Sequence, residues 1–346
     1  MFRELSLWAN VGIFSATAVV VWIAGTRVAD YADAIARRTG IGHAMAGLIL
    51  LAGITSLPEV AVTVTASATG NASLAVNNLL GSVAMQVAIL AVADAIIGRD
   101  SLTSVIPDPT VLLQIALNVL VLSLVGGAVV AGDWGVFGVG AWSCVLLLVY
   151  VGAIWLLAKS GERKPWVAEG GAALRRRRVR KEEEEKEERG PLRRLFAKTA
   201  AGAVAILVAG FLLSKTGEAI ADQTGLGQSL GGYLLVAVST SLPEVSTVVA
   251  AVRLGRYVMA VSDIFGTNLF NGGLVFVVDA VYRGGPVLNE VGGFTAFAAA
   301  LGVIVSALFL IGLIERRDRT VLRMGYDSFA VLGAYLAGVA VLFTLR

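Results

Sequence analysis

The hexapeptide Thr-Ser-Leu-Pro-Glu-Val occurs twice, at Thr55 to Val60 and at Thr240 to Val245, each time inside a long apolar run. Proline has no amide hydrogen and its ring clashes with the carbonyl four residues back. Pro58 is therefore expected to free the carbonyl of Ile54, and Pro243 that of Ser239, so that each helix kinks or unwinds there. The hydroxyls of Thr55 and Ser56, and of Thr240 and Ser241, lie beside these breaks, and Glu59 and Glu244 follow at once. Each stretch gathers carbonyl, hydroxyl and carboxylate oxygens and nothing else. Such donors suit hard cations, because calcium takes six to eight oxygen ligands in a flexible shell and sodium accepts the same types. The plainer alternative is a structural kink with a protonated, hydrogen-bonded glutamate. A carboxylate that is buried in membrane and occurs twice favours ion binding.

A second polar element follows each glutamate, Asn-Asn-Leu-Leu-Gly-Ser-Val-Ala-Met-Gln from Asn77 and Ser-Asp-Ile-Phe-Gly-Thr-Asn-Leu-Phe-Asn from Ser262. Ser82 and Gln86 are one helical turn apart, as are Thr267 and Asn271, so each pair shows its oxygens on one face. Gly81 and Gly266 would let those faces approach another backbone closely. Taken alone, these side chains can equally serve as hydrogen bonds between helices.

The elements that carry these groups must be membrane helices. Of 346 residues, 57% are hydrophobic and 15% charged, and the mean hydropathy is +0.79. That is far above a soluble domain of this size. Runs of roughly 20 apolar residues, the length that crosses a bilayer core, predict ten spans: 11–36, 43–68, 72–97, 106–131, 134–158, 198–221, 228–253, 257–282, 291–314 and 325–345. The start of the chain lacks a basic region followed by a short apolar core and a small-residue cleavage site, so no removed leader is read there. One cysteine, Cys144, excludes an internal disulfide, and one histidine, His43, excludes a site built on imidazole or thiolate. No resident cofactor is expected. The net charge of +3 comes from basic residues between spans, which membrane orientation explains without a nucleic-acid partner.

Sliding the chain against itself by 185 residues, the separation of Glu59 and Glu244, superposes both hexapeptides without a gap. The same shift aligns Gly70 with Gly255, Gly81 with Gly266, Ser82 with Thr267 and Asp94 with Asp279 over more than sixty residues. The organisation read from this is a five-span repeat over 1–158, a charged cytoplasmic loop over 159–197 and a second repeat over 198–346. Five is odd, so the second repeat enters the membrane from the opposite side. The fold class expected is an all-α integral membrane protein of two inverted five-helix repeats. With the loop inside, Arg37, Arg38, Arg99, Arg253, Arg256, Arg316, Arg317, Arg319 and Arg323 also fall inside. Both termini then face away from the cytoplasm. Arg27 and Lys215 lie within spans beside carboxylates and are expected to snorkel to the interface.

The paired Ser-Leu-Pro-Glu elements, the Gly-Ser/Thr elements and the ten-span inverted layout together resemble the sodium/calcium exchangers of the cation/calcium antiporter superfamily, over both halves of the chain. The resemblance implies one central site on the second, third, seventh and eighth helices that holds one calcium or several sodium ions. Its ligands by position are Glu59 and Glu244, the hydroxyls of Thr55, Ser56, Thr240, Ser241, Ser82 and Thr267, and the carbonyls of Ala52 and Ala237. Gln86 and Asn271 stand where an amide or carboxylate completes the family's central diamond. The chain also departs from that pattern. Val83 replaces the asparagine of the usual Gly-Ser-Asn, Gln86 is longer than the usual residue, and Asn271 stands where relatives often carry aspartate. Asp263, one turn before Thr267, either compensates for that loss or is a charge in the vestibule. Asp94 and Asp279 are either structural, on an entry path or ion-binding.

Two unpaired glutamates facing each other in a dry site cannot both stay ionised. An empty charged site should not close, whereas calcium, sodium ions or protons neutralise it and allow it to switch sides. The function expected is exchange of Ca2+ for Na+ across the cell membrane by a multi-pass antiporter acting as a monomer, with no enzymatic step. A proton-coupled exchanger, a carrier of manganese or magnesium, and an intramembrane lipid-phosphate hydrolase are the alternatives. The hydrolase needs a phosphate-binding arginine or lysine near the midplane, and none is evident.

Overall fold

The computed structural model describes residues 2–97, 101–106, 108–136, 138–160, 191–225, 238–315, 320–321 and 324–345. In chain order the helices are α1 (Leu7–Thr39), α2 (Gly42–Thr55), α3 (Leu57–Ala68), α4 (Ala72–Ile97), α5 (Pro109–Ala131), α6 (Ala141–Ser160), α7 (Leu192–Gln223), α8 (Leu242–Arg253), α9 (Tyr257–Val281), α10 (Gly293–Glu315) and α11 (Tyr326–Thr344). Eight of these are long and apolar enough to cross a membrane alone, and α2 with α3 adds a ninth, bent span. Upstream of α8 only residues 238–240 are described as helical. The remainder of the expected seventh span, with Ala237 on it, lies outside the described residues.

The 185-residue offset holds for the elements as well as for the letters. Leu7 and Leu192 open α1 and α7, Leu57 and Leu242 open α3 and α8, and Ala72 and Tyr257 open α4 and α9. Even two short antiparallel pairs follow it, β1 (Gly135–Val136) with β2 (Val139–Gly140) and β3 (Thr320–Val321) with β4 (Met324–Gly325). These pairs correct the expected helix over 134–158, which begins only at Ala141. Gly132 and Gly138 adopt positive φ there, a conformation that glycine reaches without a Cβ clash. The expected loop over 159–197 is also shorter at both ends. Helix α6 runs to Ser160, and α7 starts at Leu192 behind an extended Pro191, whose fixed φ suits a helix entry. Residues 161–190 lie outside the described residues.

Lipid is as apolar as leucine, so membrane helices associate through close packing and buried polar contacts. Both kinds of contact here cross from one half of the chain to the other. Helix α4 packs on α10 and α11, α9 packs on α5 and α6, α1 lies on α8, and α3 lies on α7. Small residues make the last two crossings close. A Cβ on Gly25 would sit 1.8 Å from Ser246 Oγ and 3.4 Å from the Pro243 carbonyl oxygen. One on its repeat mate Gly210 would sit 2.5 Å from Pro58 Cγ and 2.9 Å from Pro58 Cβ. Each long outer helix therefore rests a glycine on the proline break of the other half. Arg27 is exposed, and Lys215 pairs with Glu218 on its own helix at 3.1 Å.

Asp94 and Asp279 also bind across the halves. Asp94 accepts from the Leu102 amide at 2.5 Å and from the Gly325 amide and the Ser328 hydroxyl at 2.7 Å. Asp279 accepts from the Val287 amide at 2.9 Å and from the Gly140 amide at 2.8 Å. Each carboxylate caps its own following loop with one oxygen and the other half's hairpin with the second. Their place is therefore structural: each satisfies buried loop and hairpin amides from both halves of the chain.

Asp94→Ala and Asp279→Ala each strand two buried amides, and each is expected to cost about 1–3 kcal/mol. Thermal unfolding in detergent checks this, and an unchanged midpoint in both variants would refute the clamp. Gly210→Ala presses a methyl against a proline ring that cannot turn, for an expected cost of about 1–3 kcal/mol. Gly25→Ala meets first a serine hydroxyl that can rotate away, so it should be the milder of the two in the same assay.

Candidate functional site

The two broken helices supply the centre of the site. Upstream of the first break, α2 loosens into a π turn over Ala46–Leu51, a feature often found beside functional sites. The chain then breaks at Ser56 (φ −77°, ψ −2°), and α3 leaves at 46° to α2. Pro58 occupies the first turn of α3, where its missing amide costs no hydrogen bond. As expected, Pro58 offers no amide to the Ile54 carbonyl four residues back, while the Ser56 amide donates to the Ala52 carbonyl at 3.1 Å. The second break repeats the geometry at Ser241 (φ −92°, ψ 3°), with Pro243 in the first turn of α8. Glu59 and Glu244 are each the third residue of the new limb, where the unpaired amides of a helix start favour negative charge.

Both glutamates are fully buried. None of their four carboxylate oxygens has a hydrogen-bond partner among the described residues. Glu244 lies within electrostatic reach of Glu59 and Asp263, and the Thr55 hydroxyl is beside it. Around this pair the hydroxyls converge from both halves. Thr267 Oγ1 on α9 stands 3.5 Å from Thr55 Oγ1 and 3.4 Å from Ser56 Oγ. Asn271 Nδ2 donates to Ser82 Oγ on α4 at 3.3 Å. The close crossing comes from Gly266, where a Cβ would stand 2.8 Å from Ala52 Cβ and 3.0 Å from Leu48 Cα. For Gly81 the repeat-related neighbours are residues 233 and 237, outside the described residues.

The structure thus brings Glu59, Glu244, Thr55, Ser56 and Thr267 together, and pairs Asn271, one turn on along α9, with Ser82. Thr240 and Ser241 are buried beside the second break. The Ser241 hydroxyl, both ends of the Gln86 amide and the Asn271 carbonyl lack partners among the described residues. The Ala52 carbonyl is in place, but it already accepts from the Ser56 amide at 3.1 Å and the Ser56 hydroxyl at 2.7 Å. Asp263 lies beside the pair, within electrostatic reach of Glu244 and next to the Thr55 hydroxyl. It accepts from Thr247, which follows Glu244 by three residues on α8, so it lies about one turn of α8 away from the glutamate. Its other oxygen has no hydrogen-bond partner among the described residues. Among the described residues no group of three or more His, Cys, Asp and Glu is placed to hold a metal ion.

Two members of this neighbourhood escaped the sequence reading. Asn268 is fully buried and both atoms of its amide are unpartnered among the described residues. The signal was there, since Gly266-Thr267-Asn268 keeps the asparagine that Val83 replaces in the first half. Thr247 gave no such signal, because its repeat mate is Val62 and only folding brings it to Asp263.

With this geometry in view, comparisons with known proteins agree. The chain matches the family model described as sodium/calcium exchanger protein over residues 9–159 and 195–344. The putative antiporter CaxA of Alkalimonas amylolytica is 25% identical over 336 residues, covering 94% of this chain and 98% of that protein. The inner membrane protein YrbG of Escherichia coli is 25% identical over 274 residues, 78% of each chain. A solved structure of the sodium-calcium exchanger NCX_Mj superposes with a TM-score of 0.71 at 20% identity, covering 99% of this chain and 100% of that one. That last likeness is one of fold. Because the matched segments take in both halves, with both broken helices and both clamping aspartates, the protein belongs to the sodium/calcium exchanger family.

Proposed function

We propose that the chain is a secondary active antiporter that exchanges Ca2+ for Na+ by alternating access at an all-oxygen site near the membrane midplane. The observation that carries this reading is the pair of buried, unpartnered glutamates on repeat-related breaks. Two carboxylates a short distance apart, each stripped of water, repel one another and each bears a desolvation cost. A calcium ion offsets both at once, and sodium ions or protons offset them in larger number. The surrounding hydroxyls and amides complete a flexible oxygen shell of the kind calcium accepts. Only a loaded site is neutral enough to be shut from both faces, so binding on one side precedes release on the other. That restriction is what makes exchange obligatory, and it needs no bond chemistry.

The same reading gives the chain ten spans in two inverted five-helix repeats, placed in the cell membrane with both termini outside and the charged loop inside. The element boundaries that recur at one offset, and the membrane orientation of the arginines, support it. All the proposed ligands come from one chain, which supports a functional monomer. Asn271, where relatives often carry a carboxylate, favours keeping a second arrangement open. In it the same oxygens take manganese or magnesium, or protons replace sodium as the coupling ion. A lipid-phosphate hydrolase gains no support, because among the described residues the buried cation, Arg256, donates to Asp33.

The deciding experiment is radiolabelled calcium uptake into proteoliposomes under sodium, proton and null gradients, with manganese and magnesium as competitors. Sodium-driven uptake is expected, reduced at least a hundredfold in Glu59→Gln and Glu244→Gln. Wild-type rates in either variant would sink the mechanism. Asn268→Ala is expected to raise the half-saturating ion concentration without abolishing flux, and an unaltered value would remove Asn268 from the site.

A further inference from the structure

A protein of two near-equal inverted halves has little reason to prefer one open face over the other, so any preference must come from contacts that are not repeated. One buried cluster meets that condition. Asp33, near the end of α1, accepts from Arg256 Nε at 2.6 Å and lies 2.9 Å from His43 Nε2 at the start of α2. Arg37, one turn on along α1, closes on its other oxygen. Asp33 and Arg256 are both almost fully buried.

The opposite end of the molecule has the same backbone and different chemistry. Gly70 and Gly255 turn with φ of +82° and +71°, and the next amides, Asn71 and Arg256, both bond back five residues at 2.8 Å. On one corner that residue is Arg256, which reaches across to α1. On the other it is Asn71, whose side chain caps its own helix through the Leu74 amide at 3.2 Å. The mate of Asp33 is Glu218, which pairs with Lys215 on its own helix at 3.1 Å. The mate of His43 is Gln228, which carries no charge.

From this asymmetry we infer that the Asp33–Arg256 pair is a one-sided lock that positions α1, holding its end against the corner between α8 and α9 and so biasing the site to open towards the opposite face. The rest of the α1 surface is suited to movement, since it meets the second break through Gly25 and small side chains. Arg37 travels with Asp33 on α1, so the pair can part without leaving a bare buried carboxylate. The inference rests on the alternating-access reading for its consequence in transport, while the lock itself can be seen without transport.

The test therefore reads accessibility. In a Cys144→Ser background, Ala251→Cys reports the face beneath the lock, and Ala66→Cys, its repeat mate, reports the opposite face. Labelling by a membrane-impermeant maleimide is measured for each in otherwise unaltered protein, in Asp33→Asn, in Arg256→Gln, and in the exchange Asp33→Arg with Arg256→Asp. Release of the lock should raise labelling at 251 relative to 66 about tenfold, equivalent to about 1.4 kcal/mol, and the charge exchange should restore much of it. Glu218→Gln should leave the ratio unchanged. General loosening raises both positions together and would overturn the inference, as would an unaltered ratio in both single variants. Calcium half-saturation from each membrane face, measured on the same variants, then links the lock to transport. If labelling shifts but no protein carries calcium, the lock stands and the exchange reading falls.

Discussion

Two carboxylates buried in a membrane helix bundle, with no hydrogen-bond partner among the described residues, are the constraint around which this molecule is arranged. Glu59 and Glu244 are fully buried and without hydrogen-bond partners among the described residues, and each sits in the first turn of a restarting helix, where the dipole favours negative charge. On the exchange proposed for this chain, an ion completes the site, and the empty site resists closure. The breaks, the glycines that cover them and the hydroxyls beside them all follow from that need. Each proline sits in the first turn of its limb, where it ends one helix and begins another without losing a hydrogen bond.

The two halves satisfy the constraint together and neither does so alone. Gly210 covers Pro58 while Gly25 covers the second break, and Thr267 faces the hydroxyls of the first half. Asp94 and Asp279 exchange clamps at the periphery in the same crossed manner. Since lipid offers no drive to separate or join helices, these polar and small-residue contacts must hold the halves in register. Crossing them ties the geometry at one break to packing against the other, which suits a site shared equally between two repeats.

What is not repeated then carries the individuality of the protein. At the 185-residue offset Asn268 corresponds to Val83, Asp263 to Asn78, Thr247 to Val62 and Arg256 to Asn71. Most of these substitutions were visible as letters and mute as chemistry. Asp263 read as a charge on the right helix face, yet its bond to Thr247 joins residues of two helices, and no periodicity announces such a bond. Asn268 passed as one amide among several until its burial and lack of partners set it apart. Asp94 and Asp279 were open between ion binding and structure, because a lone aspartate near a helix end serves either purpose until its neighbours are known.

The membrane class, the repeat, the two breaks and the central oxygen chemistry were determined by the sequence alone, because each rests on local rules. Apolar length decides what can cross a bilayer, proline decides where a helix can start, and one offset decides which residues are equivalent. Tertiary structure alone decided which equivalent residues touch. It set the crossed pairing of glycine on proline, the clamps of the two aspartates and the reach of Arg256 to Asp33. These join residues far apart in the chain, so they depend on how helices pack, and packing depends on shape and distance, which no single stretch of residues contains.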